Sequence, residues 1–135
     1  LIEAIEGEAP MFQNLDVFRT AMAMARHAGV KQAFSAQNIA NADTPGYRAR
    51  DLPEFRDSLR ESLMGQRATR ENHLNGSADR ALVFTERRNA MDPNGNTVSL
   101  EQEMVNAVGA KRQHDRALAI YRNNLSVLRT SLGRK

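Results

Sequence analysis

The chain has 135 residues and a formal net charge of +3, with 41% hydrophobic and 5% aromatic residues, no cysteine and no tryptophan. The lack of cysteine excludes a disulfide framework, a thiolate nucleophile and a cysteine-based zinc site. The length fits one domain, but much of the apolar content is alanine, which buries little area. Such a chain more naturally forms long helices that finish their burial against neighbouring subunits.

No apolar run reaches the length of a transmembrane helix. The N-terminus has no basic segment followed by an apolar core, so no Sec-type signal peptide is expected. Residues 1–14 read as an N-terminal extension. Its first ten residues are acidic (Glu3, Glu6, Glu8) and precede Met11, so both Leu1 and Met11 stay open as the native start. The pI near 9.8 raises nucleic-acid binding as a reading. The basic residues, however, are interleaved with acids, as in Arg48-Ala49-Arg50-Asp51, and no recognition helix or aromatic platform accompanies them. Arginine-rich solvated faces explain them more simply.

The first periodic segment runs from Leu15 to Asn41. Leu15, Met22, Gly29 and Ala36 recur every seven residues, with Phe18, Ala25, Gln32 and Ile39 three positions on. This a/d pattern predicts a long helix with small residues where another helix can approach. Asn14 or Asp16 is placed to cap its start, and Asn41 to end it in a left-handed conformation. Thr44 before Pro45 is pushed out of helical geometry, and Pro45-Gly46 suits the centre of a type II turn. From Pro53 to Met64, Phe55, Leu59 and Leu63 predict a short helix with Pro53 at its first position. Residues 65–98 show no sustained period. Asn75-Gly76 and Asn94-Gly95 mark turns, Ala81 to Thr85 suits one short strand, and the region has room for a β-hairpin.

The last segment, Ser99 to Leu132, begins with a capping box (Ser99, Gln102) and two glutamates in its first turn. One stripe runs Leu100, Ala107, His114, Tyr121, Leu128, and a second runs Met104, Lys111, Leu118, Leu125, Leu132. These five heptads predict a helix roughly 50 Å long, closed by Gly133. The expected fold is mainly α: long N- and C-terminal helices (15–47 with its turn, and 99–135) pair as a coiled coil or bundle around a small irregular middle module (48–98).

Residues capable of chemistry do not assemble into a site. His27, His73 and His114 lack metal-ligand spacing, and His114 on its stripe reads as an interface or core histidine. Asp16, Asp43 and Asp51 are accounted for by capping. Asp92-Pro93-Asn94-Gly95-Asn96 with Glu103 at the twelfth position resembles an EF-hand loop. Yet Thr97 occupies the position that requires glycine, and only one carboxylate lies in the first half. No catalytic, cofactor-binding or metal-binding residues are nominated, and no cofactor or small-molecule substrate is expected.

The stretch Asn38-Ile39-Ala40-Asn41-Ala42-Asp43-Thr44-Pro45-Gly46-Tyr47 resembles the N-[IL]-A-N-x-x-T-P-G-Y signature of the flagellar rod and hook axial proteins. Asn94-Gly95-Asn96-Thr97-Val98-Ser99-Leu100-Glu101-Gln102-Glu103-Met104 is similar to the G-N-x-V-[DS]-L-x-x-E-M start of the C-terminal helix in proximal members of the flagellar basal-body rod protein family. Arg48-Ala49-Arg50-Asp51-Leu52 continues the likeness, whereas Ala110 and His114 stand where that family usually has Asn and Tyr. The resemblance implies a structural rod subunit rather than an enzyme. It also implies export through the flagellar type III apparatus and a helical assembly that transmits torque and encloses the export channel. The implied partners are copies of itself, other rod proteins, a FliE-type adaptor, the MS ring and the export gate, with no nucleic acid and no membrane insertion. A helical adaptor would explain the heptads but leaves the Thr44 to Tyr47 motif without a reason.

Overall fold

The computed structural model describes residues 9–63, 84–87 and 91–133. His73, the Asn75-Gly76 turn and the first part of the strand expected from Ala81 lie outside the described residues. The elements are α1 (Ala9–Ala40), β1 (Arg50–Asp51), α2 (Phe55–Leu63), β2 (Thr85–Glu86) and α3 (Leu100–Ser131). The fold is mainly helical, with one small antiparallel strand pair in the middle that matches Arg50 with Glu86 and Asp51 with Thr85. Among the described residues, no helix is long and apolar enough to cross a membrane.

Two of the expected boundaries move. Helix α1 begins at Ala9 rather than Leu15, so Asn14 and Asp16 lie inside it and cap nothing. Pro10 sits in its first turn, where a missing N–H costs no intrahelical bond. Helix α2 begins at Phe55, two residues after Pro53, with Glu54 accepting from the amides of Asp57 and Ser58.

The chain divides into two compact units, Leu1–Gln32 with Val105–Lys135, and Ala33–Met104. In the first unit the two helices run antiparallel. Near the start of α1, the backbone carbonyl of Asn14 accepts from Asn124 Nδ2 at 3.0 Å. One turn later, Phe18 meets Tyr121 edge-on, with ring centroids 5.0 Å apart. The most buried apolar side chains here are alanines: Ala21 and Ala28 on α1, Ala110 and Ala117 on α3. Each pair lies seven residues apart, so each forms one stripe along its helix.

This seam corrects the expected register on α1. Leu15, Met22, Gly29 and Ala36, expected to face a partner helix, are all exposed, and Met22 is 60% exposed. Phe18 and Ala25 of the second series are half-buried, while Gln32 and Ile39 are exposed. On α3 the first stripe is nearer the mark. Ala107, His114, Tyr121 and Leu128 are half-buried beside the alanines, as are Leu118 and Leu125, whereas Leu100, Met104, Lys111 and Leu132 are exposed. The physical reason is size. Alanine admits close helix approach, and the larger side chains are displaced to the flanks of the contact.

The seam therefore tolerates enlargement poorly. Ala28→Leu should destabilise the isolated chain by about 1–3 kcal/mol through overpacking. Met22→Ala, on an exposed position, should change stability by less than about 0.5 kcal/mol. Urea titrations followed by far-UV circular dichroism would compare the two, and equal effects would place the helix contact elsewhere.

Candidate functional site

The second unit holds the structural features that the sequence motifs pointed to. Its interior is unusually polar: Ser35, Asn38, Asn96, Thr97 and Glu103 are buried beside Ala49 and Leu52. A polar group removed from water costs free energy unless it is hydrogen-bonded. The bonds these residues make therefore define the unit.

Helix α1 ends without the left-handed residue expected at Asn41, since among the described residues positive φ occurs only at glycines. Its last turn tightens instead, with Asn41 N donating to Asn38 O and Ala42 N to Ile39 O. The Asn41 side chain turns back, and its Nδ2 donates to Gln37 O at 2.8 Å. The carbonyls just beyond this end converge on one distant side chain. Asn96 Nδ2 donates to Asn41 O at 2.9 Å and to Ala42 O and Thr44 O at 2.8 Å each. Two of these carbonyls also accept from a nearby backbone N–H, Asn41 O from Thr44 N and Thr44 O from Tyr47 N, and all three share one side-chain donor. Here the donor comes from the segment that leads into α3. Asn96 Oδ1 in turn accepts from Val98 N at 2.8 Å, so its amide is used at both ends.

The expected type II turn is present. Tyr47 N donates to Thr44 O at 3.3 Å, and Gly46 takes φ 73°, a conformation that glycine adopts without strain. Gly95, at φ 82°, crosses this turn closely. A Cβ built on Gly95 would lie 3.4 Å from the Cα of Gly46, and Gly46 N donates to Asn94 O at 2.9 Å.

Asn38, fully buried, performs the same service for the strand. Its Oδ1 accepts from Arg50 N at 3.0 Å and from the Tyr47 hydroxyl at 3.1 Å, and its Nδ2 donates to Arg50 O at 2.7 Å. Thr97 completes the crossing. Its N–H donates to Tyr47 O at 3.1 Å, and its Oγ1 accepts from Ala49 N at 2.9 Å. The two sequence motifs, about fifty residues apart, are thus the two halves of one junction.

An ion cluster fastens the second strand to this junction. Arg87 donates to Asp51 Oδ2 at 2.8 Å through Nη2 and to Glu103 Oε1 through Nη1. Its backbone N–H donates to Ala49 O at 2.8 Å. Burial works against the Arg87 charge, but hydrogen bonds and attraction from Asp51 and Glu103 outweigh it, so its proton is held more tightly than usual. Glu103 is fully buried, and its Oε2 has no hydrogen-bond partner among the described residues. The Arg48–Glu86 pair at 3.4 Å is exposed and contributes little. Phe84 lies against Phe34, with centroids 5.8 Å apart and the Arg50 guanidinium 4.9 Å from its own centroid.

The residues weighed as chemical candidates are dispersed. His27 is buried and His114 half-buried, both in the first unit. Asp92 is exposed, while Glu103, the last position of the EF-hand-like run, is engaged by Arg87. Asp51 does not cap a helix. It accepts from Leu52 N at 2.8 Å and pairs with Arg87. Sequence reasoning missed Asn38, Asn96 and Arg87 as structural centres. The available signal was an asparagine among small residues in each motif.

Two outcomes follow from this geometry. Asn96→Ala should cost about 1–3 kcal/mol by removing the bonds of a buried amide to residues 41, 42 and 44. It should also remove hydrogen-exchange protection from residues 41–47 and 94–98 together, and loss confined to one segment would contradict a shared junction. Arg87→Met should cost about 3–5 kcal/mol, because Glu103 would be buried with its charge uncompensated. The double variant Arg87→Met/Glu103→Leu should regain much of that loss in the same unfolding assay. A double variant no more stable than the single one would acquit the Glu103 charge.

Comparison with known proteins places the chain in a family. No family model matches the chain. It is 34% identical over 104 residues to the flagellar basal body rod protein FlgB of Aeromonas hydrophila, covering 72% of this chain and 77% of that protein. To the protein of the same name from Agrobacterium fabrum it is 32% identical over 111 residues, covering 76% and 82%. The corresponding protein of Buchnera aphidicola is 27% identical over 104 residues, covering 70% and 77%. With a polar junction built from both motifs and these likenesses along most of its length, the chain belongs to the flagellar basal body rod protein FlgB family.

Proposed function

We propose that the chain is a structural subunit of the proximal flagellar rod, packed helically with copies of itself and other rod proteins. The observation that carries this reading is the apolar surface left on both flanks of the alanine seam in the first unit. On one flank, Leu15 and Met22 share the α1 face of Phe18, while Leu118 and Leu125 share the α3 face of Tyr121. On the other flank, Val17, Thr20, Ala21, Met24 and Ile120 line a shallow groove together with Asp16. Val127 lies seven residues beyond Ile120 and is 50% exposed. Two distinct apolar flanks call for two different neighbours. Such heterologous contacts build rings or helical filaments rather than closed dimers.

In this role the subunit transmits torque through packed helices and helps enclose the channel used by later export substrates. It leaves the cytoplasm through the flagellar type III apparatus. Its neighbours at the cell-proximal end include a FliE-type adaptor, the MS ring and the export gate. The role calls for no catalysis. Nucleic-acid binding and a helical adaptor remain the poorer readings, because neither gives a reason for two distant motifs to close one junction.

Leu118→Asp and Leu125→Asp should each abolish swimming, because an unpaired carboxylate in a packed interface costs several kcal/mol. Asp115→Asn, which alters only the exposed i,i+4 pair with Lys111, should leave motility near normal. Soft-agar motility would be scored with secreted subunit measured alongside, and export of the Asp variants should persist. Wild-type swimming by both Asp variants would remove this flank from the rod interface.

A further inference from the structure

Asn94-Gly95 is a dipeptide with intrinsic chemistry, because the glycine offers no side chain to shield its nitrogen from the neighbouring carboxamide. We propose that Asn94 is a site of spontaneous deamidation that the folded junction suppresses, so that modification marks chains in which the junction has stayed open. In the reaction, the Gly95 backbone nitrogen attacks Cγ of Asn94 and closes a succinimide. The carboxamide C–N bond breaks, and ammonia leaves with the amide proton. Water then opens the ring at either carbonyl, giving aspartate or isoaspartate. No oxidant, reductant or enzyme is required.

The structure supplies both the reactive pair and its restraint. Asn94 is exposed, so water reaches it and bulk burial does not protect it. What holds it is local bonding. The nucleophile, Gly95 N, donates to Asp92 O at 2.8 Å, and the electrophile's oxygen, Asn94 Oδ1, accepts from Asn96 N at 3.0 Å. The Asn94 carbonyl is tied to Gly46 N, and Asp92 N donates to Asn96 O at 2.9 Å. Both reacting groups are thus committed to an Asx-type turn, and ring closure must first break bonds on either side of Asn94. The restraint depends on the junction being closed.

The two products differ in consequence. Ordinary aspartate retains an oxygen that accepts from Asn96 N, so the turn survives. Isoaspartate routes the backbone through the side chain and adds a methylene immediately before Gly95. Gly95 already lies against Gly46, and Asn96 must reach the carbonyls of Asn41, Ala42 and Thr44. An inserted backbone atom displaces both.

The test incubates the full chain at mildly alkaline pH, folded and in urea, and follows Asn94 by peptide mapping that separates aspartate from isoaspartate. Asn75-Gly76 in the urea digest calibrates the unrestrained rate. Asn94 in the folded chain should react roughly tenfold or more slowly than in urea, corresponding to a local opening of about 1.4 kcal/mol. After removal of urea, chains carrying isoaspartate at position 94 should fail to regain hydrogen-exchange protection at residues 41–47, whereas Asn94→Asp should regain it. Equal rates folded and unfolded would overturn the proposal. So would recovery of the junction by the isoaspartyl chain, or its loss in Asn94→Asp.

Discussion

The second unit depends on one constraint: the carbonyls of Asn41, Ala42 and Thr44, just beyond the end of α1, converge on the buried side chain of Asn96. Asn96 answers for all three with a single amide. Because that amide is short and rigidly attached, the backbone at 94–98 must pass directly under the end of α1. The close approach of Gly95 to Gly46, the bond from Thr97 to Tyr47 and the start of α3 at Leu100 all follow from that placement. Asn38 repeats the device on the strand side, where its side chain pairs with both backbone groups of Arg50 as a neighbouring strand would. Buried amides that use donor and acceptor together fix geometry in a way that apolar contact cannot, because a small shift leaves a polar group unpaired.

The first unit works by the opposite rule. Its seam is made of methyl groups, each contributing little hydrophobic free energy, joined by contacts such as Asn124 to Asn14 and Phe18 to Tyr121. Larger apolar side chains are present but remain on the flanks: Leu15 is 47% exposed, Met22 60% and Ile120 39%. In a monomer designed to stand alone, such side chains would occupy the seam. Their position is consistent with a family whose members carry the name of a basal body rod protein, since a subunit finishes its core only when neighbours cover it.

This inversion decides what could be read from the sequence. The helices, the type II turn and the helix start after Ser99 were legible, because propensity and turn chemistry are local properties. The α1 stripe was not. A heptad frame set on Leu15 selects Met22, Gly29 and Ala36, whereas packing selects Ala21 and Ala28 and leaves Leu15 and Met22 for other contacts. The junction was half legible. Each motif stood out as a string, but the fact that Asn96 reaches residues 41–44 is a long-range relation with no local trace. Arg87 was hidden for the same reason, since its partners Asp51 and Glu103 are 36 and 16 residues away.

The contrast also explains why one chain contains both kinds of interior. A subunit that must fit several neighbours benefits from a surface governed by non-directional apolar contact, because such contact tolerates small differences in angle and register between sites. It still needs one fixed reference from which its helices depart. Directional bonds supply that reference where buried donors and acceptors meet inside the chain. Most of the buried polar side chains, Ser35, Asn38, Asn96, Thr97 and Glu103, lie in the second unit, whereas the seam of the first is lined by Ala21, Ala28, Ala110 and Ala117. Exchanging the two compositions would fail on both counts. An amide-lined flank would bind only neighbours that matched its hydrogen bonds, and an alanine-lined junction would have no side chain to tie the turn after α1 to the segment before α3.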